Sequence, residues 1–188
     1  MSYILIILFL VLLFFIIRWL LKDQQIIYRH WHHTFDNLDY SPQTFYDGIS
    51  KAIETRQMPE VQTSYIEYSE QKLFGYNRTY FRVELDNYVF DVCAAPFGTA
   101  FFVSYWFVEK RSFINRMLRR FALIAKFMDW ATYYQIDTCF TFGDCVETEV
   151  FFAVDTMTTA KGITALSKEE RIPIISENTP NRPALKPR

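Results

Sequence analysis

The opening stretch, Tyr3 to Leu21, constrains everything downstream of it. Fifteen consecutive residues, Tyr3 to Ile17, are apolar or aromatic, and Arg18 is the only charge before Lys22. A 19-residue helix is roughly 28 Å long at ~1.5 Å per residue, close to the hydrocarbon thickness of a bilayer. Arg18 sits where its stem can stay in the apolar layer while the guanidinium reaches the headgroups, and Trp19 suits the same boundary. Tyr3, Ile17, Arg18, Trp19 and Leu21 therefore mark a single transmembrane anchor.

A cleaved signal peptide would need a basic leader, a shorter apolar core and a small-residue cleavage site. No Lys or Arg precedes this core and no Ala-x-Ala pattern comes after it. Arg18, Lys22 and Arg29 all lie on its C-terminal side, so the positive-inside rule places the remainder of the chain in the cytoplasm. Between Tyr3 and Leu21 there is no Gly, Ala, Ser or Thr to form a close-packed helix seam. Nor is there an acid or histidine to line an ion path. The segment reads as a lipid-facing, single-pass anchor.

The chain beyond Leu21 is long enough for one domain. The expected organisation is an anchor over 1–21, a juxtamembrane segment over 22–40, a domain over 41–175 and a Pro-rich basic tail over 176–188. Aromatics make up 19% of the chain, enough for a substantial core. A net charge of -1 gives no global pull toward nucleic acid. The three cysteines, Cys93, Cys139 and Cys145, lack metal or redox spacing and fit free thiols in a reducing compartment. Outside the cell, Cys139 and Cys145 could pair. The Asn77-Arg78-Thr79 sequon would go unused in the cytoplasm.

The juxtamembrane segment is polar and aromatic and reads as a helical continuation of the anchor. It holds all three histidines, His30, His32 and His33. On a helix His30 and His33 share a face, with Asp36 as the nearest third ligand; this is a weak set, and no metal is expected. Ser41-Pro42 is an N-cap with Pro at the first helical position, and Phe45, Ile49 and Ile53 recur at helical spacing up to Pro59. Val61 to Ser69 is rich in strand formers. Residues 78–85 alternate, with Phe81, Val83 and Leu85 on one side. Asp86-Asn87 suits a tight hairpin, Tyr88 to Cys93 returns, and a turn is expected over Ala94 to Gly98. Thr99 to Val108 is apolar on both faces, as in a central strand or one whose outer face meets something outside this chain. The fold class is α+β: a meander of three to five antiparallel strands packed by flanking helices.

Glu109 to Asp129 reads as an amphipathic helix, with Phe113, Met117, Phe121, Ile124 and Met128 on one stripe. Six basic residues against two acids give a local excess of four. That composition suits a helix lying in the membrane interface, with Arg116, Arg119, Arg120 and Lys126 toward headgroups or an acidic partner and Phe121 as apolar anchor. It equally suits a core-packing helix with a solvated basic face. Tyr133 to Phe142 is expected as a strand or extended link. Asp144 with Glu147 forms a capping-box pattern for a helix ending at Gly162, and Ser167 to Glu170 starts a short one limited by Pro173.

Phosphate-binding glycine loops, HExxH, CxxC and GxSxG are absent, and no cofactor is expected. Asp91, Asp137 and Asp155 lie in apolar surroundings and would form a buried polar site if two of them met. Two function classes fit these residues. The first is a membrane-anchored, non-enzymatic accessory or scaffold protein contacting the bilayer and protein partners, without nucleic acid. The second is a membrane-tethered enzyme or small-ligand binder with an aromatic pocket and those carboxylates.

Overall fold

The computed structural model describes residues 7, 9–14, 24–69, 77–111 and 133–175. The chain divides into two units, Met1–Gln25 with Lys110–Trp130 and Ile26–Glu109 with Ala131–Arg188. In the first unit residues 7 and 9–14 are helical, and their apolar side chains are exposed. No helix among the described residues is long and apolar enough to cross a membrane. Tyr3, Ile17, Arg18, Trp19 and Leu21 lie outside the described residues, as do Arg116, Arg119, Arg120, Phe121 and Lys126.

The second unit is an α+β layer. Six strands, β1 (Gln24–Phe35), β2 (Gln62–Ser69), β3 (Asn77–Leu85), β4 (Tyr88–Phe97), β5 (Ala100–Arg111) and the two-residue β6 (Ile174–Ile175), form one sheet. Its order is β2-β3-β4-β5-β1-β6. β2 to β5 are the expected antiparallel meander, in register from Gln62↔Glu84 through Tyr80↔Cys93 to Tyr88↔Glu109. Asp86 takes φ 53, the left-handed conformation the two-residue hairpin needs. The next turn falls at Gly98-Thr99, later than expected, because β4 continues through Pro96, which pairs with Phe101.

The sequence reading misses β1 altogether. Residues 24–35 form a strand, not a helical continuation of the anchor. Tyr28 bonds Glu109, His30 stacks on Trp106 and His32 on Phe102. Rising numbers on β1 thus meet falling numbers on β5, so the pair is antiparallel. Consecutive residues Tyr28 and Arg29 both reach the helix side, to Phe107 and to Asp144. Alternation slips there by one residue, which hides the period-2 pattern.

Helix α1 (Pro42–Arg56) matches its sequence signals. Ser41 accepts from the Thr44 N–H, Pro42 opens the first turn, and Gln57 closes the helix in the left-handed region. Phe45, Tyr46, Ile49 and Ile53 are its buried face. Helix α2 (Tyr133–Ala160) corrects two expectations. Tyr133 to Phe142 is helical, and Asp144 lies mid-helix rather than at a cap. Aromatic and threonine content suggests a strand there, but Cys139, Phe142, Val146, Val150 and Val154 form one buried stripe that packing rewards. Gly143 lets the helix approach β5: a Cβ there would lie 2.7 Å from Phe107 Cε1. Gly162, at φ 68, ends the helix as expected. Ser167 and Glu170 do form the reciprocal capping box, yet it opens only a turn.

Both helices pack on one face of the sheet, against Phe81, Val83, Phe90, Val92, Phe101, Val103, Tyr105 and Phe107. An Arg56–Glu149 ion pair joins them. At the end where β1 begins and β5 finishes, Arg29 bridges Asp144 and Glu147 on α2, both at 2.6 Å. Tyr105 donates to Glu147 at 2.5 Å and Tyr28 to Glu109 at 2.8 Å.

Candidate functional site

Chemistry-bearing side chains gather on the opposite face of the sheet. Along β4 this face shows Val89, Asp91, Cys93 and Ala95, the residues that alternate with the core-facing Phe90, Val92 and Ala94. β3 contributes Arg78, Tyr80, Arg82 and Glu84; β5 contributes Phe102, Ser104, Trp106 and Val108. β1 adds His30 and His32.

Asp91 and Arg82 face each other across β4 and β3. Arg82 donates through Nε to Oδ1 at 2.6 Å and through Nη2 to Oδ2 at 2.7 Å, a bidentate fork. The Tyr68 hydroxyl donates to Oδ2 at 3.2 Å and accepts from Arg82 Nη2 at 2.7 Å. Glu84 lies 3.6 Å from Arg82 Nη1. Burial, and then the neighbouring Asp91 charge, push the Tyr68 hydroxyl above its ordinary pKa. Both members of the ion pair are buried, and no buried side-chain N or O atom among the described residues lacks a hydrogen-bond partner. The cluster is closed: each charge is neutralised by the other.

Beside it runs a row of rings. His30 lies flat on Trp106, centroids 3.6 Å apart, and His32 stacks with His30 at 5.4 Å. His32 meets Phe102 at 6.3 Å, and the Arg78 guanidinium lies 6.0 Å from the same Phe102 ring. His30 Nδ1 is 2.9 Å from the Tyr105 carbonyl, which only accepts, so Nδ1 carries the proton in that bond. Burial lowers the His30 pKa, so the ring is held neutral. Cys93 lies under Tyr80; burial pushes the thiol up and drives Tyr80 up to about 12.

The expected trio of carboxylates does not converge. Asp155 is on α2, on the helix side of the sheet, and is held by Arg171 at 2.6 and 3.1 Å. Asp137 is exposed near the start of α2. The sheet separates Asp91 from both. His30 and His33 also part: on a strand they point to opposite sides, and His33 packs against Phe35 and Trp31. No group of three His, Cys, Asp or Glu among the described residues is placed to hold a metal ion. All three cysteines are free, Cys93 and Cys139 buried and Cys145 partly exposed.

Sequence reasoning misses His30 and His32 as members of this face because β1 does not read as a strand. One signal was present: the two-faced apolarity of TAFFVSYWFV. The inner side of that strand meets the helices, while its outer side forms the ring row. No family model, curated protein or solved structure matches the chain.

Proposed function

We propose that the chain is a single-pass, membrane-anchored, non-enzymatic accessory protein whose α+β unit binds protein partners or lipid headgroups at the membrane surface. The apolar run from Tyr3 to Ile17 carries this reading. Two features of the fold support it. β1 begins at Gln24, immediately after the anchor segment, so the tether is short. β1 starts beside the end of β5, and the Arg29–Asp144–Glu147 bridge brings α2 to the same end. The chain enters β1 and leaves β5 at the same end of this unit. The Asp91, Asp137 and Asp155 arrangement favours this reading over an enzyme, because two of the three are committed to arginines and none shares a site with another. The positive-inside pattern puts the α+β unit on the cytoplasmic side.

Vesicle flotation tests the proposal. The full chain is expected to float with neutral and anionic vesicles alike and to resist alkaline extraction. A fragment beginning at Lys22, which keeps β1, is expected to float only with anionic vesicles and to lose that binding on Arg116/Arg119/Arg120→Glu. A full chain released by alkaline carbonate would overturn the anchor. A folded fragment indifferent to anionic lipid would assign the basic segment to protein contact.

A further inference from the structure

Ion pairs hold acids on both faces of the α+β unit. α2 carries Asp137, Asp144, Glu147, Glu149 and Asp155 and no Lys or Arg, but Arg29 holds Asp144 and Glu147, Arg56 holds Glu149 and Arg171 holds Asp155. On the opposite face the described carboxylates, Asp91 and Glu84, lie against Arg82, while the exposed Arg78 and His32 stand beside Phe102. Arg78 is the exposed arginine of that face, and an anionic leaflet attracts a Lys or Arg near it.

That face also has the residue types that favour a bilayer boundary. Trp106, Phe102, Tyr80 and Tyr68 are partly exposed, and Phe97, on the same side by alternation, is 69% exposed at the β4–β5 turn. Val89 and Val108, near the chain junctions, and Asp91, Cys93 and Ser104, along the middle of the face, are buried. The face therefore opens toward the turn, where Phe97, Phe102, Arg78 and His32 cluster.

The geometry points to this open end as a second lipid contact: it seats on an anionic bilayer surface, with Phe97 and Phe102 entering the interface and Arg78 and His32 meeting headgroups. The inference deepens the proposed membrane reading and rests on it. From Glu109 to Ala100 the strand spans about 30 Å at ~3.3 Å per residue.

The test is nitroxide depth measurement on the full chain in phosphatidylcholine vesicles with and without phosphatidylserine. One label goes at Thr99→Cys, beside Phe97; another goes at Leu10→Cys, inside the anchor. Both use a Cys145→Ser background, since Cys93 and Cys139 are buried. The expected result is a Thr99 label more accessible to oxygen than to a water-soluble nickel reagent in anionic vesicles only. Arg78→Glu or Phe97→Ser should abolish this while leaving the Leu10 label deep and the circular dichroism unchanged. A deep Leu10 label with a water-exposed Thr99 label in both lipids overturns the inference and spares the anchor. An aqueous Leu10 label overturns the anchor; a lipid-contacting Thr99 label would then still support the face as a peripheral site, and an aqueous one would sink both.

Discussion

Removing Asp91 should expose how the second face is held. Asp91→Leu leaves the Arg82 guanidinium buried, with Tyr68 and the more distant Glu84 as its remaining partners. The Arg82 side chain is 10% exposed, so water cannot replace the lost carboxylate without opening the strand pair. Breaking such a pair from one side costs about 3–5 kcal/mol. Arg82→Met should cost a similar amount, less whatever Tyr68 recovers by bonding the stranded carboxylate. The double variant removes both charges and packs methylenes against Trp106, so it should lie within about 2 kcal/mol of the parent. Urea unfolding of the full chain in detergent, monitored by tryptophan fluorescence, reads these values. With m of about 2 kcal/mol/M, each single change moves the midpoint down by about 2 M and the double by under about 1 M. Additive losses in the double variant would refute the closed-pair argument. A loss under about 1 kcal/mol for Asp91→Leu would do so as well, and would return Asp91 to candidacy as a group available for chemistry.

Three further outcomes are expected. Gly143→Ala gains about 1 kcal/mol of helix propensity but sets a methyl against the buried Phe107 ring; overpacking at about 1–3 kcal/mol leaves it net destabilised. Thermal unfolding checks this, and Phe107→Leu in the same chain should recover part of the loss. Burial raises the Cys93 thiol and lifts Cys139 to about 12, so a thiol reagent at pH 8 should modify Cys145 first and the other two only on unfolding. Equal labelling rates for Cys93 and Cys145 would contradict the burial. His30 has a folded pKa below its unfolded one, so the unfolded chain binds a proton that the folded chain resists as pH falls through about 6.5. Stability from this group is present above that pH and lost below it; a His30→Gln chain should lose less between pH 7 and 5, as urea midpoints at the two pH values would show.

The legible parts of the fold were those where one local signal sufficed. Ser41-Pro42 with Phe45, Ile49 and Ile53 specified α1, and alternation with Asp86-Asn87 specified the β3–β4 hairpin. Two failures had tertiary causes. β1 adjoins β5 across a sequence gap that no local pattern reports, and its slip at Tyr28-Arg29 disguises the strand period. The first turns of α2 have strand-like composition and are helical because their stripe fits the sheet, with Gly143 making room. The candidate face was half visible: Asp91 stood out for its apolar neighbours. Its ring row depends on β1 lying beside β5, which only the assembled sheet provides.

The sheet order also decides how the unit bears load. A pull on the start of β1 loads a strand bonded to β5 on one side and, at Arg29 and His30, to the two-residue β6 on the other. Ladder hydrogen bonds run across the strands, so a pull along β1 strains many of them together in shear. The side chains resist in the same direction: Arg29 is pinned to α2, and His30 is wedged on Trp106. A pull on β1 is therefore shared between its ladder to β5 and the side-chain ties at Arg29 and His30.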